Sequence, residues 1–93
     1  MGSTRKGRDI DAALRKKGFH RIVAGDHLYY HFGGTRIKTK MSHGMMGHSL
    51  SAELIGNMAR QLRLTKVQFL ALIDCELDEK TYRAALRSQG VAA

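Results

Sequence analysis

The stretch Gly25-Asp26-His27-Leu28-Tyr29-Tyr30-His31-Phe32-Gly33-Gly34-Thr35-Arg36-Ile37-Lys38-Thr39-Lys40 decides the fold of this chain. Two alternating runs flank Gly33-Gly34, the pattern of a β-hairpin closed by a two-residue turn. Such a turn sets Phe32 against Thr35, Tyr30 against Ile37 and Leu28 against Thr39 on one face. On the other face it sets His31 against Arg36, Tyr29 against Lys38 and His27 against Lys40. The first face is expected to be buried. The second carries imidazoles, a phenol and three cations on one open surface, which suits an anionic partner, RNA foremost.

Working back toward the amino terminus, His20 to Ala24 reads as a preceding strand. A two-residue Gly25-Asp26 turn would put Ile22 on the polar face. A three-residue Ala24-Gly25-Asp26 connection puts it beside Leu28 in the core and is therefore expected. Asp9 to Lys17 reads as a helix whose Ile10, Ala13, Leu14 and Lys17 share one stripe, the Lys17 stem covering apolar surface. Gly18 stops it.

Toward the carboxyl terminus, the third strand runs from Thr35 to Met41, and the glycines and serines of Ser42 to Ser49 mark a loop. Leu50, Leu54, Met58 and Leu62, widened by Ile55 and Ala59, predict a helix from about Leu50 to Arg63. Thr65-Lys66-Val67-Gln68 is a capping box stapled by Leu64 and Phe69, opening a third helix through Ile73. Asp78 caps a fourth in the same way, Leu77 meeting Tyr82, and Gly90 ends it.

The expectation is an α+β domain with helices on the Leu28, Tyr30, Phe32, Ile37 and Met41 side of a three-stranded antiparallel sheet. Residues 1–8 read as a basic flexible tail, with Met1 to Thr4 disordered. Residues 9–63 form the α-β-β-β-α core, and residues 64–93 a helical extension packed as part of the same domain.

Ninety-three residues support one domain with a small core. A formal charge of +8 and a sequence pI near 10.2 favour phosphate-bearing or acidic partners. The single Cys75 excludes an intramolecular disulfide and fits a reducing cytosol. No apolar run approaches the roughly 20 residues that span a bilayer, and no signal-peptide core follows the amino terminus, so no membrane partner is expected.

His27 is the first candidate for chemistry. It opens a strand after a tight turn, and Lys40 opposite would favour the neutral imidazole that a general base requires, while Asp26 would act against it. An ordinary exposed strand histidine fits the same position. Tyr29 and His31 share its face with Arg36, Lys38 and Lys40, so that cations can hold phosphates while rings stack on bases. Long cations that guard a sheet edge produce the same pattern.

His43 borders that face just beyond the third strand. Together with His48 and two methionines it matches no zinc spacing, and no metal is expected. Cys75 lies among Asp74, Glu76, Asp78 and Glu79, a poor setting for a nucleophilic thiolate. No nucleophile elbow or phosphate loop is present. Met58 to Leu70 is similar to a DNA-binding helix-turn-helix offering Lys66 and Gln68, although it lacks the usual turn glycine.

Taken in order, Ala13-Leu-Arg-Lys-Lys-Gly-Phe19, then Gly25-Asp-His27 entering an aromatic strand, then a basic third strand leading to Ser42-His-Gly44 and a helix, resemble the HicA family of bacterial toxins. The resemblance covers about Asp9 to Leu62. It implies a fold like the double-stranded-RNA-binding domain, cleavage of mRNA without a metal or other cofactor, and neutralisation by a HicB-type antitoxin. His27 falls at the family's catalytic histidine, with Asp26 where serine is usual in its Gly-Ser-His motif. A non-catalytic RNA-binding or antitoxin-interaction module is the alternative. The helices beyond Leu62 extend past the point where short family members end.

Overall fold

The computed structural model describes residues 4–91. The expected disorder of Met1, Gly2 and Ser3 lies outside them. The elements run β1 (Arg5–Lys6), α1 (Gly7–Lys16), β2 (Phe19–Ala24), β3 (His27–Phe32), β4 (Lys38–Ser42), a short 3-10 helix (His43–Gly47), β5 (Ser49–Leu50), α2 (Ala52–Gln61), α3 (Lys66–Ile73) and α4 (Glu79–Ser88). The described residues thus form an α+β domain built on a three-stranded antiparallel sheet, ordered β2-β3-β4, and four α-helices.

The hairpin register differs from the expected one by two residues. Leu28 faces Met41, Tyr30 faces Thr39 and His31 faces Lys38. The cause lies in the turn. Gly34 alone of the two glycines has a positive φ, +78°, and the Thr35 N–H donates to the Phe32 carbonyl at 3.1 Å. That is the type II pattern, which splays strands instead of continuing them. The Thr35 hydroxyl then accepts from the Ile37 N–H at 2.9 Å, so the ladder resumes only at Phe32–Ile37. A shift of two preserves side-chain parity, and Leu28, Tyr30, Phe32, Ile37, Thr39 and Met41 are all buried as the alternation requires.

The first turn corrects the expectation for Ile22. Ala24 faces His27, so Gly25-Asp26 is a two-residue turn, with Gly25 at φ +60° as the type II′ pattern demands. Ile22 therefore lies on the polar face opposite Tyr29 and is 55% exposed. Its parity neighbour Arg21 takes the inward position and meets a helix carboxylate there. The Asp11 side chain, fully buried on α1, accepts from the Tyr30 hydroxyl at 2.7 Å and from Arg21 at 3.1 Å, and pairs with Arg15 at 2.9 Å. Burial of an anion is tolerated because each oxygen has a charged or phenolic donor.

Helix α1 buries Ile10, Ala13, Leu14 and Lys17, whose Nζ donates to the Leu77 carbonyl at 2.7 Å. It starts at Gly7, whose N–H donates to the His48 carbonyl at 2.8 Å. Within the stretch expected as a flexible tail, Arg5–Lys6 instead pairs with Ser49–Leu50, and the Arg5 guanidinium forks onto Asp74 at 2.6 and 2.9 Å. Leu50 accordingly belongs to a strand. The Ser51 hydroxyl caps α2, which begins two residues later than its periodicity suggests. Leu54, expected inside, is 42% exposed, while Ile55, Met58, Ala59 and Leu62 are buried.

Both later caps take the expected form. Thr65 and Gln68 make a reciprocal capping box, and Asp78 accepts from the Thr81 N–H at 2.7 Å. The helices α3 and α4 share one core with the sheet. Tyr82 stacks within 6.0 Å of Phe19 and 4.9 Å of Phe32, and its hydroxyl donates to the Leu62 carbonyl at 2.8 Å. Arg83 covers the Phe32 ring at 4.4 Å.

Candidate nucleic-acid interface

All four α-helices pack on or around the buried face of the sheet, which leaves the other face open. Register arranges that open face as three rows across β2, β3 and β4. His20, His31 and Lys38 form one row, Ile22, Tyr29 and Lys40 the next, and Ala24, His27 and Ser42 the third. Adjacent residues in a row lie about 5 Å apart and diagonal ones about 7–8 Å, so one ligand can touch several.

The pairings of the cations therefore differ from the expected ones. Lys40 lies beside Tyr29 and not His27, Lys38 beside His31, and Arg36 stands in the loop beyond the ladder, exposed. Ser42, a neutral hydroxyl, is the residue opposite His27. The premise that Lys40 directly opposes His27 is thus corrected by the wider turn.

His27 is half-buried, with its ring 6.2 Å from that of Tyr29 at 42°. Lys40 still reaches its neighbourhood, because His27, Lys40, Ser42 and Gln61 line one cavity of about 360 Å³ between β4 and α2. A second cavity of about 400 Å³ adjoins it, with Lys40 and Gln61 in both walls and Tyr29, Arg36, Lys38 and Arg63 around the rest. The two share Lys40 and Gln61 and form one trough along β4, with Arg36, Lys38, Lys40 and Arg63 in one part and largely apolar side chains beside His27 in the other. Gln61 is fixed there by the Thr39 hydroxyl, which donates to its Oε1 at 2.5 Å.

His43 follows β4 and extends the ladder by one bond, its N–H donating to the Asp26 carbonyl at 2.7 Å. That bond ties the turn before His27 to the start of the 3-10 helix. His43 and Asp26 are both exposed and line a shallow depression with Ser42 and Gly44. His31 lies at the far end of the face, beside Gly33 and Thr35. The sheet thus brings Tyr29, Lys38 and Lys40 together at the trough with His27, while His31 and His43 flank it at opposite ends.

Gln61, Ser42 and Arg63 were not anticipated at this site. Gln61 and Arg63 sit at the end of a helix far along the chain, and no local pattern signals that α2 lies against the β4 edge. Arg63 carries one visible peculiarity. It occupies the position after the α2 C-cap with φ +63°, where glycine is usual, and the Leu64 N–H reaches back to the Ala59 carbonyl at 2.9 Å. A non-glycine residue in that conformation stores about 1 kcal/mol or more of strain.

The helix-turn-helix reading loses one of its two contact groups. The Gln68 side-chain oxygen accepts from the Thr65 N–H at 2.9 Å and so caps α3 from within. Among the described residues no three histidine, cysteine, aspartate or glutamate side chains converge in a metal-binding group. No helix among them is long and apolar enough to cross a membrane.

No protein-family model, curated protein or solved structure matches this chain.

Proposed function

We propose that this protein is a HicA-like toxin: an RNA-binding, metal-independent endoribonuclease that acts on mRNA through His27 and is neutralised by a HicB-type antitoxin. The observation that carries the reading is the half-buried His27 sharing one cavity with Lys40 and Ser42, at the end of a trough edged by Arg36, Lys38 and Arg63. An imidazole that shares a cavity with Lys40, next to the cations of the adjoining one, supplies the two components that RNA transesterification requires, a base and compensation for phosphate charge. The helix, three antiparallel strands and helix that precede Leu62 support a double-stranded-RNA-binding-domain-like topology for this part of the chain.

In this mechanism Tyr29 stacks a base, while Lys38, Lys40 and Arg36 hold the phosphates on either side. The His27 imidazole, acting as the base, removes the proton from a ribose 2′-hydroxyl. The freed 2′-oxygen attacks the adjacent phosphorus, the P–O5′ bond breaks, the departing 5′-oxygen takes a proton from water, and the products are a 2′,3′-cyclic phosphate and a 5′-hydroxyl end. Lys40 lies where it offsets the negative charge that grows on the phosphoryl oxygens. His31 and His43 extend the contact surface at either end of the face.

The test is incubation of the purified protein with single-stranded and double-stranded RNA in the presence of chelator, beside His27→Ala. Cleavage that resists chelator and is lost in the variant, with cyclic-phosphate ends, is the expected result. Cleavage unchanged in His27→Ala removes the assigned role. Salt-sensitive binding without turnover would make the chain a non-catalytic RNA-binding module instead.

A further inference from the structure

The trough has a second property that RNA chemistry does not use. Two hydrogen bonds bracket the β3–β4 ladder: the Phe32 N–H donates to the Ile37 carbonyl at 3.0 Å, and the His43 N–H to the Asp26 carbonyl at 2.7 Å. Antiparallel pairs alternate between bonded and non-bonded, so Ile37, Thr39, Met41 and His43 bond to β3 or its turn. Lys38, Lys40 and Ser42 consequently direct their N–H and C=O groups away from β3, and no strand among the described residues pairs with that edge.

Both cavities straddle this edge. Each is lined by residues from the open face (Lys38 and Lys40 in one, Lys40 and Ser42 in the other) and by residues from the core face and α2. The α2 wall is apolar where it matters. Leu54, 42% exposed against its helical periodicity, lines the trough with Met58 and the half-buried Met45.

We propose that the groove between the free edge of β4 and α2 receives an extended peptide segment of a partner protein, which adds to the sheet as a fourth strand. The geometry also specifies the segment. Side chains of an added strand alternate between the two faces of the sheet. Those on the open face fall beside Lys38 and Lys40 and are acidic. Those between them point toward Leu54, Met45 and Met58 and are apolar. A run of about five to seven residues matches a five-residue edge.

RNA does not fit this edge as well. Its backbone has no alternating N–H and C=O groups to satisfy β4, and it would leave Leu54 and Met45 uncovered. The inference is independent of nuclease activity, because it uses the backbone edge and the α2 wall and not His27 chemistry. A strand seated there would nevertheless cover Lys38 and Lys40, and so compete with any RNA on the open face.

The probe is a fluorescent, acetylated nonapeptide of alternating glutamate and valine, read by anisotropy against the full chain. A peptide of the same composition, with its glutamates and valines in two blocks, is the control. Saturable binding of the alternating peptide, at least about tenfold tighter than the blocked one, is expected. Methylating the backbone nitrogens of either all glutamates or all valines removes one set of edge bonds. One methylated series is expected to lose at least about tenfold and the other little. Loss in the glutamate series means antiparallel addition and loss in the valine series means parallel addition.

Leu54→Gln, with its melting temperature checked, is expected to weaken the peptide about fivefold. Equal effects of both methylation patterns, or no effect of either, would show that charge alone captures the peptide and would overturn the proposal. Weakening by Leu54→Gln of oligouridylate binding, with peptide binding unaffected, would assign the groove to nucleic acid and also overturn it.

Discussion

Ser42 is the residue directly across the β3–β4 ladder from His27. The candidate base therefore has a neutral hydroxyl as its lateral neighbour, while the cation nearest it in function, Lys40, stands one row away beside Tyr29.

Because His27 is only half-buried and its side chain makes no hydrogen bond that holds the fold, replacing that side chain is chemically specific. His27→Ala is expected to change stability by less than about 1 kcal/mol, measured by urea denaturation, while abolishing cleavage. A much larger loss of stability would mean that the inactive variant reports unfolding and not the loss of a base.

The cations of the trough should act additively on RNA affinity. Lys38→Ala and Lys40→Ala are each expected to lower the slope of log K against log salt by about 0.7 for single-stranded RNA. Lys66→Ala, on the opposite side of α2, is expected to leave the slope unchanged. A fall in the slope with Lys66→Ala would point to the α2–α3 side of the molecule as the nucleic-acid surface.

Asp11 is the polar centre of the fold. Asp11→Ala leaves the Tyr30 hydroxyl buried without its acceptor and removes the partner of Arg21 and Arg15, and is expected to cost about 2–4 kcal/mol in thermal or urea denaturation. Tyr30→Phe removes one hydrogen bond and leaves Asp11 its two arginines, so its cost should be nearer 1 kcal/mol.

Arg63 offers a trade between stability and binding. Its φ of +63° suits glycine, and Arg63→Gly should stabilise the protein by about 1 kcal/mol. The same change removes a cation from the trough and is expected to weaken RNA binding. A variant that gains stability with unchanged affinity would exclude Arg63 from the interface.

Stability should fall at both extremes of pH for identifiable reasons. Burial pushes the Tyr82 phenol well above its ordinary value of 10.0, and burial together with the Asp11 carboxylate does the same for Tyr30. Their contribution is complete below pH 10 and is lost as pH rises through the raised folded-state values. Tyr82→Phe should reduce the alkaline loss, followed by fluorescence. At the acid end, the hydrogen-bonded Arg5 fork holds Asp74 below its ordinary 3.8. That contribution is present above pH 3.8 and vanishes as pH falls through the lowered value, and as a half-exposed pair it is worth at most about 1 kcal/mol.

What the sequence determined by itself was local and periodic. Leu28, Tyr30 and Phe32 inward, with His27, Tyr29 and His31 outward, follows from the twofold repeat of a strand, and it survived a two-residue error in register because parity did. The caps at Thr65 and Asp78 were equally legible, since each is closed by side chains within three residues of the helix start.

Tertiary structure decided whatever depended on a distant partner. The wider Gly33-Gly34 turn is the exception, a local choice in which the Thr35 hydroxyl accepts from the Ile37 N–H two residues on. Ile22 lies outside because the two-residue Gly25-Asp26 turn sets the parity of β2, and Arg21 beside it reaches the buried Asp11 on α1. The placement of α2 against the β4 edge exposed Leu54 and brought Gln61 and Arg63 to the trough. The choices for Ile22 and for α2 rest on contacts between residues 10 and 22 positions apart, and periodicity within one element carries no record of them.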